Sequence, residues 1–385
     1  MFSPKALVTL VLAIGLVTSC APREWPSLWT SYSATFMDGQ IRVIDRDAGD
    51  RTTSEGQAYG MFFALVANDR DRFAKLLRWT ELNLAEGDLT ARLPAWLWGR
   101  DAENRWVVLD ANSASDADVW LAYTLYEAGD AWREPRYTRL AEALATRIAD
   151  EEVVHVGAIG PVLLPGARGF VHDDTYRLNA SYLPLQLFLA LGERQPRGPW
   201  TAIADTIPRI VRASAPSGVA TDWVEIGPGG TFTPSSHGSY DAIRTYLWAG
   251  VLDPATPSRD ALLQTLAGMA HVVRENRKPP AIVRANGTVR DANGPIGFAA
   301  ALMPYLDAVG EARLAREQRS RVHDARDERT GLLGRPARYY DQNLALFALG
   351  ATERHYWFDA RGRLRTNWMR STDADERRAE EISRR

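Results

Sequence analysis

The stretch Thr53-Ser54-Glu55-Gly56-Gln57-Ala58-Tyr59-Gly60-Met61 decides the fold. A Ser directly before an acid and an apolar run marks a helix start. Ala58, Met61, Phe62 and Leu65 recur at three- and four-residue spacing, so the helix has a buried face. Residues 56–67 are apolar nearly all round, and such a helix must be buried on every side. The same character returns over 119–126, 182–190, 242–252, 296–306 and 344–349. Between these lie amphipathic stretches with charged outer faces, over 71–86, 134–151, 199–214, 259–276 and 311–324, and a further helix is expected over 27–36. Buried helices alternating with surface helices, six of each, predict an all-α (α/α)6 barrel: an inner ring enclosed by an outer one. A two-layer repeat array is the alternative architecture, but the chain has no fixed-period self-similarity to support it.

In such a ring the inner helices run the same way, so their N-termini share one face. Glu55 opens the first. Ser113-Ala114-Ser115-Asp116-Ala117-Asp118 opens the second, and Ser239-Tyr240-Asp241-Ala242 another. Any one of these acids reads as a helix cap. Three of them, each with small residues and an aromatic close by, read as a site. The connections expected at that face are long and aromatic: Leu93-Pro94-Ala95-Trp96-Leu97-Trp98-Gly99, residues 106–110, 169–176 and 223–240. Long ordered loops of this kind are usually functional, and short hairpins are expected within them.

Composition bounds the rest. With 385 residues, 45% hydrophobic and 24% charged, the chain has ordinary globular usage. A net charge of -2 and a pI near 6.3 point away from nucleic acid and anionic membranes as partners. Thirteen Trp suit flat apolar faces for a polar ligand such as a sugar, as well as plain core packing. Residues 1–20 read as an export signal: one basic residue, an apolar run, then Val17-Thr18-Ser19-Cys20. That end resembles a lipobox, with Cys20, the chain's single cysteine, as the acylated residue; ordinary cleavage nearby is the alternative. Both place the mature protein outside the cytoplasm, in the periplasm, with no transmembrane segment, disulfide or zinc-thiolate site. A single catalytic domain is expected over 21–370, and a charged, disordered tail over 371–385.

Other chemistries fall away. The six His show no pairing at three or four residues, so no His metal site is expected. Asp45, Asp47 and Asp50 lack the Gly and distal Glu of a calcium loop. Residues 227–230 lack the Lys-Ser/Thr of a phosphate loop and read as a turn. There is no serine nucleophile elbow. Carboxylates set among aromatics remain, which is the equipment of glycoside hydrolysis, with no metal and no cofactor.

Thr53 to Met61, Ala114-Ser115-Asp116-Ala117-Asp118, Asn179 to Tyr182 and Tyr240-Asp241-Ala242-Ile243-Arg244 resemble the motifs of glycoside hydrolase family 8. Pro94-Ala95-Trp96-Leu97-Trp98-Gly99, Leu163-Leu164-Pro165-Gly166 and the order of motifs are similar, within that family, to the periplasmic cellulases made alongside bacterial cellulose synthase. The resemblance covers about residues 25 to 350. It departs at Leu121 (commonly Ile or Met), Ala180 (commonly Pro) and Tyr176 (commonly Trp). It implies an inverting endo-β-1,4-glucanase acting on cellulose, with Glu55 as general acid, Asp241 as general base, and Asp116 holding the sugar at the cleavage point. It further implies Tyr240 and Tyr182 near that point, and the cellulose synthase export complex as a partner. Arg244, one turn after Asp241, is expected to keep that base ionised. Trp96, Trp98, Tyr339 and Tyr340 are candidates to stack on or bond sugars. A general acid must hold its proton near neutral pH; a helix N-terminus opposes this and a neighbouring carboxylate favours it. Glu55 is therefore expected close to Asp116 and partly desolvated. Two other readings stand beside this one: another family 8 activity (chitosanase, xylanase or mixed-linkage glucanase), and a non-catalytic glucan-binding export factor.

Overall fold

A computed structural model of the chain describes residues 23–39 and 41–369. The export signal with Cys20 and the tail over 371–385 lie outside the described residues. The helices, in chain order, are α1 (Trp25–Phe36), α2 (Ser54–Val66), α3 (Arg70–Leu84), α4 (Ser115–Ala131), α5 (Pro135–Glu151), α6 (Leu185–Arg194), α7 (Trp200–Ser214), α8 (Ala242–Gly250), α9 (Arg259–Thr265), α10 (Gly268–Asn276), α11 (Ile296–Ala308), α12 (Ala312–Asp324) and α13 (Tyr339–Thr352).

The chain is an (α/α)6 barrel. Helices α2, α4, α6, α8, α11 and α13 form the inner ring. In α2 only Glu55 escapes burial, and in α11 only the end residues do. The ring closes: α2 packs on α4, α4 on α6, the turn Ala180–Tyr182 before α6 on α8, α8 on α11, and α11 on α13. Phe347 of α13 completes the circle, with Phe62 and Phe63 of α2 at 5.4 and 4.7 Å between ring centroids. Phe347 also meets Tyr59, Trp120 and Trp248 at 4.9 to 5.0 Å, so the middle of the ring is filled with aromatics. The outer helices bury one stripe each. In α5 that stripe is Leu140, Ala141, Leu144, Ala145 and Ile148.

Three local expectations are corrected. The outer helix expected over 259–276 is two helices, α9 and α10, broken at Leu266 and Ala267. The start of α10 lies against the Ser217–Gly218 turn so closely that a Cβ on Gly268 would meet the Ser217 carbonyl at 2.6 Å. The inner helix expected from 182 begins at Leu185. Pro184 lacks an N–H and disfavours helical dihedrals at Leu183 (φ -116°, ψ 58°), so residues 180–182 form a separate 3-10 turn. The cap of α2 is Thr53 rather than Ser54: the Thr53 hydroxyl accepts from the Gly56 N–H at 3.1 Å.

The strands are short and sit in the loops between the rings. Thr52–Thr53 pairs with Leu97–Arg100, which pairs with Trp106–Asp110. Val171–His172, Thr175–Leu178, Val224–Gly227 and Thr231–Pro234 form a four-stranded antiparallel sheet; residues 227–230 are its turn, as expected. No helix among the described residues is long and apolar enough to cross a membrane.

Candidate active site

The inner-helix N-termini converge on one guanidinium. Arg244, in the first turn of α8, has a side chain only 5% exposed. Its Nη1 donates to Glu55 Oε1. Its Nη2 donates to Ser181 Oγ at 3.1 Å and Asp241 Oδ1 at 3.2 Å, and lies 3.7 Å from Asp116 Oδ2. The guanidinium also lies over the Tyr182 ring, at 5.5 Å. The structure therefore brings together Glu55, Asp116, Asp241, Arg244 and Tyr182, from four inner-helix starts. The Glu55 side chain is 22% exposed and that of Asp241 32%, so both open to the cleft, while Asp116 is buried.

Each carboxylate is placed by its own local structure. The Ser54 N–H donates to the Trp96 carbonyl at 3.0 Å, so the 97–110 hairpin holds the start of α2. Asp116 accepts from the N–H of Ala117 at 2.8 Å, and the adjoining Ser115 N–H donates to the Pro165 carbonyl at 3.0 Å. Asp241 occupies the cap position of α8 but does not cap it. Asp222 does that instead. Its Oδ1 accepts from the N–H groups of Ser239 and Ala242 at 2.7 and 3.0 Å, and its Oδ2 from the Ser239 hydroxyl at 2.7 Å. Asp241 is thereby free to face the cleft.

The electrostatics follow from three acids around one cation. Burial, then the charge of Glu55, pushes Asp116 up to about 7, against the pull of Arg244. Burial also raises Asp241; Arg244 opposes this, while Asp222 and Glu55 add to it. The proximity of Asp116 and Glu55 expected from sequence is present, but Arg244 lies on Glu55 as well as on Asp241. That contact ties Glu55 and Asp241 to the same guanidinium.

The aromatic expectations divide. Tyr240 is 46% exposed, and its ring lies 5.9 Å from that of Tyr340. Tyr340 turns its hydroxyl to the Tyr240 carbonyl at 2.6 Å, bracing the backbone beside Asp241. Trp96 is half-buried, and after the backbone N–H of Asn112 its indole helps hold Asp110 below the usual carboxylate range. Trp98 does not offer a free ring. It stacks on Trp106 at 4.7 Å, meets Trp79 at 5.1 Å, and carries Arg42 at 5.0 Å. Tyr339 is also misplaced as a sugar ligand. It is 7% exposed, packed against Tyr32 and Phe36, with its hydroxyl 2.5 Å from where a Cβ on Gly56 would stand. Gly56 is there because only a bare backbone fits beneath that hydroxyl.

Sequence reasoning missed Asp222, Ser181 and Trp106. Ser181 lay inside the quoted Asn179–Tyr182 motif. Trp106 lay beside Trp98 in the loop set; it is 37% exposed, stacked on Trp98, with Arg42 and Arg100 over its ring at 4.7 and 4.6 Å. Asp222 is a lone loop acid, and nothing in its spacing marks it. Among the described residues no cluster of His, Cys, Asp and Glu could hold a metal ion.

The model of "Glycosyl hydrolases family 8" matches residues 2–354. An endoglucanase of Xanthomonas axonopodis pv. citri is 42% identical over 361 residues, 92% of either chain. An endoglucanase of Escherichia coli O157:H7 is 41% identical over 374 residues, covering 94% of this chain and 96% of its own. The crystal structure of an endo-1,4-D-glucanase from Vibrio fischeri ES114 superposes with a TM-score of 0.83 at 37% identity, covering 89% of this chain and 99% of that one.

Proposed function

The chain belongs to family 8 of the glycosyl hydrolases and is an endoglucanase, and from that premise we propose that it cleaves β-1,4-linked glucan within the chain by inversion, with Glu55 as general acid and Asp241 as general base. The observation that carries this reading is the Arg244 bridge. It gathers two cleft-facing carboxyls that do not touch, with a third buried beside them. An inverting pair needs room for a water, ~6.5–9.5 Å between carboxyls, and a guanidinium between acid and base keeps such a gap. Asp241, kept anionic by Arg244 against its burial, takes a proton from that water. Asp116, buried at the floor, bonds the sugar at the cleavage point. Glu55 protonates the leaving oxygen. Tyr182, Tyr240 and Tyr340 line the cleavage point, and Trp96 presents a ring along the groove.

On the same reading, residues 21–370 act as one catalytic domain, exported to the periplasm by the segment before Cys20. Its task is to cut cellulose at the site of its synthesis and export, beside the cellulose synthase complex. The similarity of the Pro94–Gly99 and Leu163–Gly166 motifs to the cellulases of that setting supports this.

The test is product analysis on carboxymethyl cellulose and cellohexaose, with Glu55→Gln and Asp241→Asn beside the wild type and anomers followed by NMR. The expected result is short oligosaccharides released first as α-anomers, with both variants slowed at least ~10²-fold. First-formed β-anomers would remove Asp241 as base. Cleavage of xylan or chitosan alone would move the activity elsewhere in the family.

A further inference from the structure

Behind Asp116 lies a second pair of acids that the reaction does not use. Asp118, on the opposite side of the first turn of α4, and Glu152, which follows α5, are both 0% exposed. Their carboxyls are within hydrogen-bonding reach of one another. Glu152 Oε1 accepts from the Ser113 hydroxyl at 2.5 Å, and Ser113 Oγ in turn accepts from the Ala167 N–H at 3.0 Å. Glu152 Oε2 and both oxygens of Asp118 receive no N–H or hydroxyl donor. Neither carboxyl is in an ion pair among the described residues. The other acids facing them are Asp116 and Glu151, and Glu151 is paired with Arg147 at 2.8 Å.

Two buried carboxyls in contact, with no cation, can bond only if one supplies a proton. We propose that Asp118 and Glu152 share one proton in a carboxyl–carboxylate hydrogen bond, and that this bond positions Asp116 by fastening the first turn of α4 to the end of α5 and the 163–167 loop. Around it, the Leu164 N–H donates to the Glu152 carbonyl at 2.8 Å, and the Ser115 N–H to the Pro165 carbonyl. Asp116 therefore stands on a turn clamped from behind on two sides. The inference rests on Asp116 belonging to the cleft as read above.

Protonation follows the same logic. Burial, then the charge of Glu152, raises Asp118, and burial raises Glu152 to about 8. An acid raised in the folded state keeps its proton above ~pH 4, where the unfolded chain loses it. The folded protein thus binds more protons between ~pH 4 and about 8, and its stability falls as pH rises through that window.

Two variants test the pair. Asp118→Asn supplies an N–H to the Glu152 carboxylate without a titrating proton, and Asp118→Ala supplies nothing. With both folded by circular dichroism, Asp118→Ala should lose about tenfold or more in kcat on cellohexaose, and Asp118→Asn should recover most of that loss. The melting temperature of Asp118→Asn should gain on the wild type by several degrees between ~pH 5 and ~pH 9, the window in which the wild-type pair loses its shared proton. Should Asp118→Asn not fold, Glu152→Gln makes the same comparison. An Asn variant as impaired as the Ala variant, or a melting difference flat with pH, overturns the shared proton. An Ala variant as active as the wild type overturns the positioning role. The melting arm reads folding alone, so it stands even if the substrate is not glucan.

Discussion

Arg244 is the residue through which the cleft carboxylates act on one another. A buried cation that loses its partners, or three acids that lose their cation, costs several kcal/mol. Arg244→Lys keeps the charge, but one ammonium cannot reach three carboxylates on two forks, so activity on soluble glucan should fall at least ~10-fold. Arg244→Gln removes the charge that draws Asp241 down. The acid limb of its kcat profile should therefore move to higher pH; a limb that stays in place would mean that Arg244 does not hold the base ionised. A second residue-scale case is steric. Gly56→Ala places a methyl 2.5 Å from the Tyr339 hydroxyl and should cost ~1–3 kcal/mol by urea unfolding. Tyr339→Phe removes the clashing oxygen, so the double variant should recover part of the loss, and the cycle measures the coupling.

At the scale of elements, inner-helix starts bring the carboxylates together and neighbouring loops set them. Asp222→Ala removes the acceptor of two N–H groups and a hydroxyl at the start of α8. It should lower stability by ~1–2 kcal/mol and reduce kcat more than it raises KM, because the base helix loosens while the groove stays. An unchanged kcat would separate the cap from the placement of Asp241. The helices were legible because two signals differ sharply in sequence: apolar on all sides for the inner ring, one apolar stripe for the outer. The acids were legible because each opens an inner helix. What sequence could not supply depends on contacts across loops. The stacking of Trp98 on Trp106 follows from hairpin register, and the burial of Tyr339 from the approach of α13 to α2. The service of Asp222 to a helix that begins twenty residues later follows from the fold of the 220–241 loop. The break at Leu266 follows from a backbone contact with Gly218, invisible in any local pattern.

For the whole molecule, the inner ring stands on its aromatic centre. Phe347 touches rings from α2, α4 and α8 at once, and Phe347→Ala should cost ~3–5 kcal/mol. Calorimetry should show that loss, while the turnover of the folded fraction at low temperature should change little, since Phe347 lies beneath the carboxylates and not among them. The ring also settles where the chain enters. The N–H groups of Glu24 and Trp25 both donate to the Glu353 carboxylate, just past the last turn of α13, and Trp25 stacks on His355 at 5.1 Å. That is the end of α13 remote from Arg244. Any leash joined to the protein upstream of Arg23 consequently pulls on its back, and a molecule moored to a surface in that way would hold its mouth outward, toward polymer arriving from the other side.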